Sequence, residues 1–98
     1  MQTLSTIYQG NLSTEITHLQ SGSVIVTDAP TDNHGKGKHF GPTDLFAASF
    51  GSCMLTIMGI AAQTHNFNID GATLKTTKIM AQNPRRIGEI IVEITFPH

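Results

Sequence analysis

Charge is scarce in this chain of 98 residues. Asp, Glu, Lys and Arg supply 13% of the residues, about half the share found in a typical soluble domain. Six Lys and Arg residues against seven Asp and Glu residues give a net charge of -1, so the basic excess that nucleic-acid binding requires is missing. We therefore expect no nucleic-acid partner, and we expect a second protein surface to cover part of this weakly charged one.

Cysteine occurs once, at Cys53, which excludes an intramolecular disulfide. Residues 1–30 also lack the basic start and apolar run of a secretory signal. Together these two features predict a reduced, cytoplasmic protein. The length allows one domain with a sheet and one or two helices, which excludes a multidomain enzyme.

Residues branched at the β-carbon are abundant, because Thr, Ile and Val make up 27 of the 98 residues. This composition favours strands over helices. Gly10-Asn11 predicts a hairpin turn and Ser21-Gly22 a second turn. The sequence therefore predicts a three-strand antiparallel meander followed later by a hairpin, with strands at residues 2–9, 12–19, 23–27, 71–82 and 87–96.

A helix is predicted from Pro42 to about His65, because proline suits the first helical position and Asp44 suits the positive end of the helix dipole. Apolar residues occupy nearly all of its faces, which predicts burial on most sides. The uncharged stretch from residue 45 to 62 has the length of a membrane span. Its many small residues and the flanking hairpins favour a soluble core helix, and pairs such as Ala47 and Gly51 predict contact with another helix.

The segment from residue 28 to 41 has the composition of an exposed, basic loop. His34 and His39 with Cys53 lack the paired spacing of zinc ligands, so we expect no metal and no cofactor. The pair Arg85-Arg86 follows Pro84 and has two interpretations, a small anion site or a charged turn between strands.

Cys53 is the strongest candidate for a chemically reactive residue, although a lone cysteine is often a small buried apolar residue. The reactive form of cysteine is the thiolate, which a helix N-terminus or a cation stabilises. Cys53 lies about 16 Å beyond the predicted helix start, too far for the dipole to act. The candidate cations are Lys36, Lys38, Arg85 and Arg86.

The run Gly41-Pro42-Thr43-Asp44-Leu45-Phe46-Ala47-Ala48-Ser49-Phe50-Gly51-Ser52-Cys53-Met54, with the later Asn83-Pro84-Arg85-Arg86-Ile87, resembles the OsmC/Ohr family of thiol-dependent hydroperoxide reductases. The resemblance implies an α+β, intertwined homodimer with a long buried central helix. It implies that Cys53 is the peroxidatic cysteine, which reduces organic hydroperoxides at the expense of an external thiol. Thr43, Asp44, Arg85 and Arg86 are the candidate supporting residues.

The chain departs from that family pattern in three places. One is the family's acidic residue directly after the helix-start proline, which is Thr43 here with Asp44 one step on. A second, resolving cysteine and an arginine in the N-terminal sheet are both missing, since Arg85 is the first arginine. We expect residues 1–98 to form a single domain of this type without its C-terminal third. The alternative function is a catalytically inactive or truncated relative that serves as a dimeric structural or small-ligand-binding module.

Overall fold

The computed structural model describes residues 2–97, which form five strands and one long helix. The elements, in chain order, are β1 Leu4–Gly10, β2 Ser13–His18, β3 Val24–Asp28, α1 Pro42–Thr64, β4 Thr73–Ala81 and β5 Arg86–Thr95. The predicted α+β class and the order of elements are confirmed. The chain divides between Leu45 and Phe46 into two compact units.

The first unit contains an antiparallel sheet in the order β1-β2-β3. Its first turn consists of Asn11 and Leu12, whose φ angles of 55° and 61° are those of a two-residue hairpin turn. The predicted turn at Gly10-Asn11 was one residue too early, because Gly10 still pairs with Ser13 after a bulge that follows Tyr8. The meander itself is confirmed.

Polar groups fill the buried part of this sheet. The Ser13 hydroxyl donates a hydrogen bond to the Thr27 carbonyl over 2.8 Å, and the hydroxyls of Thr14 and Thr27 lie 2.5 Å apart. Five large apolar side chains of the same sheet are exposed, namely Leu4, Ile7, Tyr8, Val24 and Ile25, whereas Ile16 and Val26 are half-buried. Backbone ladders and hydroxyl groups therefore hold the three strands together.

Helix α1 ends one residue before the predicted boundary, at Thr64. Asn66 follows in the left-handed conformation with φ of 59°. The Phe67 N–H donates a hydrogen bond back to the Ala62 carbonyl over 2.9 Å, which closes a Schellman motif. Local sequence signals therefore define this helix at its C-terminal end.

The single chain exposes much more of α1 than the sequence predicts. Among the described residues of the helix, Ala47, Gly51 and Ala62 are buried. The helix is long and apolar enough to cross a membrane by length and composition, a property that core helices of soluble proteins share. Burial on most sides was predicted from apolar residues on nearly all faces, and one copy of the chain does not provide it.

The second unit contains an antiparallel pair of strands, β4 and β5, so the strands form two sheets rather than one. Ile90, Val92 and Ile94 are half-buried on one face of β5, while Glu93 points to the exposed side. This alternation gives β5 one apolar face. The hairpin turn covers residues 82–85, because Ala81 pairs with Arg86.

Candidate functional site

Cys53 lies in the middle of α1 and is exposed in the single chain. Five residues of the helix follow one another at alternating spacings of four and three, which places them on one face. We call this set the Cys53 stripe; its members are Phe46, Phe50, Cys53, Ile57 and Ile60. The four apolar members are 63%, 52%, 60% and 60% exposed in that order. The thiol therefore lies at the centre of an uncovered apolar surface.

The opposite face of the helix packs against β4. A β-carbon placed on Gly51 would lie 2.6 Å from Leu74 Cδ2 and 3.3 Å from Thr76 Oγ1, so glycine is needed for this approach. Cys53 is two residues further along, about 200° around the helix axis. Contact with β4 thus turns the Cys53 stripe outwards.

Thr43 and Asp44 lie in the first turn of α1, where Asp44 has a structural role. The Gly41 N–H donates a hydrogen bond to Asp44 Oδ2 over 3.0 Å, and the Gly41 carbonyl accepts the first helical hydrogen bond from Leu45 over 3.0 Å. Asp44 thus caps the helix from its third position, as in a capping box. A role for either side chain in chemistry stays a prediction.

Arg86, the first residue of β5, forms hydrogen bonds with the hairpin turn that precedes it. Its Nη1 donates hydrogen bonds to the carbonyls of Gln82 and Pro84, both over 2.8 Å. Arg85 lies half-buried in the same turn. The arrangement of Arg86 agrees with the charged-turn interpretation, since its guanidinium stabilises the backbone that reverses direction.

The β4–β5 hairpin places Arg86 at its turn end, away from the part of β4 that α1 contacts. Helix α1 approaches β4 at Leu74 and Thr76, whereas Arg86 pairs with Ala81. Thr76 and Ala81 are five positions apart in an extended strand, a distance of about 17 Å. A supporting role of Arg85 or Arg86 at Cys53 stays a prediction.

Lys36 serves a different group, the carboxylate of Asp28. Lys36 Nζ lies 3.5 Å from Asp28 Oδ1, and the His39 Nδ1 lies 3.0 Å from Asp28 Oδ2. Asp28 is 1% exposed. The hydrogen bond from His39, helped by the nearby Ser13 hydroxyl and by the charge of Lys36, outweighs desolvation and holds the pKa of Asp28 below its usual 3.8.

Sequence reasoning missed this buried cluster. Asp28 was interpreted as the start of an exposed loop because aspartate is frequent in turns, yet it is the last residue of β3. The usable signal was an aspartate at the end of an apolar run, followed by several basic residues in the next loop. Within residues 2–97, no group of three His, Cys, Asp or Glu side chains has a geometry that could hold a metal ion.

Among known proteins, the chain is similar to a crystallised bacterial protein. No family model and no curated protein matches the chain. A crystal structure from Psychrobacter arcticus 273-4, of a protein provisionally named an osmotic stress induced and detoxification response protein, matches with 52% sequence identity and a TM-score of 0.97. The match covers 100% of this chain and 72% of that one. The chain belongs to the OsmC family.

Membership in the OsmC family confirms the resemblance seen in residues 41–54 and 83–87. It also confirms the α+β fold, since the two structures superpose over the whole of this chain. The shared fold favours the interpretation of α1 as a helix of a soluble protein over that of a membrane span.

Proposed function

We propose that this OsmC-family chain reduces organic hydroperoxides through the thiol of Cys53, as part of an oxidative stress response. The observation that carries the proposal is the exposure of Cys53 at the centre of an apolar stripe. A peroxide can react only with an accessible thiol, and apolar neighbours suit the hydrocarbon part of an organic peroxide. The crystallised relative is named for a detoxification response, which supports the same class of activity.

The proposed chemistry balances with an external thiol as reductant. The thiolate sulfur of Cys53 attacks one peroxide oxygen, the O–O bond breaks, and the alkoxide that leaves takes up a proton to become an alcohol. Sulfur is oxidised by two electrons to a sulfenic acid while the peroxide is reduced. One external thiol then displaces water to form a mixed disulfide, and a second releases Cys53 and forms the external disulfide.

An external reductant is required because Cys53 is the one cysteine of the sequence. The resolving thiol then comes from outside these 98 residues. We place the activity in the cytoplasm, where such thiols are kept reduced.

A homodimer is part of this proposal. The alternating spacing of four and three in the Cys53 stripe is that of a helix seam that packs against another helix. An exposed apolar surface of this kind in a chain with few charges is typical of an interface. A second copy would cover part of the stripe, and it is also the expected source of the group that activates the thiolate.

A non-catalytic relative is the second candidate function. It is favoured by the single cysteine and by the use of Arg86 within its own turn. In that case the Cys53 stripe serves to hold two copies together or to bind a small apolar ligand. The two candidates share the dimer and differ in the reactivity of Cys53.

Trapping of the sulfenic acid distinguishes the two candidates. The protein is treated with an equimolar amount of tert-butyl hydroperoxide in the presence of a sulfenate-specific diketone, and its intact mass is measured. The peroxidase proposal predicts one adduct per chain, located at Cys53 by peptide mapping and absent from Cys53→Ser. An unmodified wild-type chain that is still folded would favour the non-catalytic candidate.

A further inference from the structure

The segment between β3 and α1 folds back on the strand that it leaves. Phe40 forms a parallel bridge with Thr27, and its carbonyl accepts a hydrogen bond from the Asp28 N–H over 3.0 Å. Residues 29–40, which we call the strap, therefore form a closed loop. Its two ends meet at Asp28, along the outer edge of β3.

Asp28 holds the strap through two basic side chains of the strap. The carboxylate accepts a hydrogen bond from His39 Nδ1 over 3.0 Å and pairs with Lys36 Nζ over 3.5 Å. Lys36 also donates to the carbonyl of Asn11 over 3.4 Å, at the β1–β2 turn. The carboxylate is nearly inaccessible, while His39 and Lys36 remain half-exposed.

Close backbone contacts within the strap complete its closed form. A β-carbon on Gly35 would overlap the carbonyl oxygen of Ala29. Gly37 has φ of 68°, and a β-carbon there would lie 2.8 Å from Thr31 Cγ2. The strap therefore has a specific packing that side chains at these two glycines would disrupt.

The strap ends directly at the start of α1. Gly41 is buried, and a β-carbon on it would lie 3.4 Å from the Asp28 carbonyl oxygen and 3.5 Å from Pro30 Cδ. The same residue is the N-cap of the helix and donates to Asp44. Closure of the strap thus positions the first turn of the helix that carries Cys53.

We propose that the strap is a conformational device latched by Asp28. It stays closed while the carboxylate is charged and paired, and it opens when that charge is removed. Opening frees residues 29–41 and loosens the first turn of α1, while the strands stay folded. The groups that face the carboxylate of Asp28 are His39 and Lys36 from the strap and Ser13 from β2. Asp44, at the helix start, lies near Gly41, on whose other side is the Asp28 main-chain carbonyl.

Cleavage by the lysine-specific endoprotease Lys-C tests the latch. Lys36 and Lys38 lie in the strap, whereas Lys75 and Lys78 lie in β4 and report on unfolding of the second unit. When opening is fast relative to cleavage, the cleavage rate follows the open population. Asp28→Asn is expected to raise cleavage in the strap at least about tenfold, since it removes a charged hydrogen-bond acceptor, and to leave the β4 sites unchanged.

Two further variants make the result decisive. Glu93→Gln makes the same chemical change on the exposed side of β5 and is expected to leave all four sites unchanged. Gly35→Ala opens the strap without altering its charge and is expected to reproduce the pattern of Asp28→Asn. Should Asp28→Asn fail to fold, His39→Gln removes one latch contact and gives the same pattern with a smaller rise.

The proposal is overturned by either of two results. Equal rises at the strap and β4 sites in the folded variants would mean that Asp28 stabilises the chain as a whole. Unchanged strap cleavage in Asp28→Asn would mean that the carboxylate does not hold the strap. An acid-induced rise in hydrogen exchange confined to residues 29–41, after correction for the intrinsic exchange rate, would support it.

Discussion

Gly51 of α1 lies directly against Leu74 of β4, where an added β-carbon would be 2.6 Å from Leu74 Cδ2. This contact connects the helix to the second sheet. It also turns the helix face that carries Cys53 away from β4. A branched side chain at Gly51 must push the helix away from the strand. We therefore expect Gly51→Val to lower the free energy of unfolding by about 1–3 kcal/mol.

Gly59 provides the matched control for that substitution. It lies in the same helix, and a β-carbon there would meet nothing within 4 Å. Gly59→Val is expected to change the free energy of unfolding by less than about 0.5 kcal/mol, because valine is a slightly better helix former than glycine. Urea unfolding followed by circular dichroism measures both. Equal losses in the two variants would show that the contact with Leu74 is unimportant.

Local sequence signals predicted the helix because its start depends on neighbouring residues. Pro42 and Asp44 act within one turn of each other, through the N–H of Gly41. The first hairpin turn was displaced by one residue, because the bulge after Tyr8 depends on pairing between two strands. Such pairing leaves little trace in either strand by itself.

The position of Cys53 was predictable, whereas its surroundings were not. Apolar residues on nearly all faces of α1 indicated burial, yet the Cys53 stripe is exposed in one copy. Burial of that stripe depends on a second surface, which periodicity within one chain cannot reveal. Asp28 was missed for a related reason, since its partner His39 is eleven residues away and reaches it through the fold of the strap.

Removal of the carboxylate at Asp44 should weaken the start of α1. Asp44→Ala leaves the Gly41 N–H without its acceptor and is expected to cost about 1 kcal/mol of stability. Gln63→Ala, at an exposed position in the last turn, is the control and should be neutral or slightly stabilising. Thermal unfolding distinguishes them, and an unchanged midpoint for Asp44→Ala would contradict the capping role.

Acid should open the strap of the wild-type protein through Asp28. Because the pKa of its carboxyl is lowered in the folded state, the closed strap binds fewer protons there than the open strap. The contribution of Asp28 to closure is therefore fully present above the ordinary value of 3.8 and is lost as the pH falls through the lower folded value. Hydrogen exchange of residues 29–41, corrected for the intrinsic rate and measured from about pH 6 to about pH 3, should rise more steeply for wild type than for Asp28→Asn. Parallel curves would contradict this assignment.

Association should depend on the Cys53 stripe. Light scattering of the wild-type protein should give about twice the chain mass of 10.6 kDa, because the exposed apolar side chains need a cover. Ile57→Glu places a charge in the stripe and should yield monomers. Ser52→Glu, exposed on another side of the helix, should leave the dimer intact. A monomeric wild-type chain would contradict the dimer proposal.

Reduction of organic hydroperoxides by Cys53 should show itself as sustained turnover. Consumption of tert-butyl hydroperoxide is followed with a dithiol reductant in excess, and the rates of wild type and Cys53→Ser are compared after subtraction of the reaction without protein. Wild type should complete many turnovers per chain and Cys53→Ser none. Equal rates for the two folded proteins would contradict it.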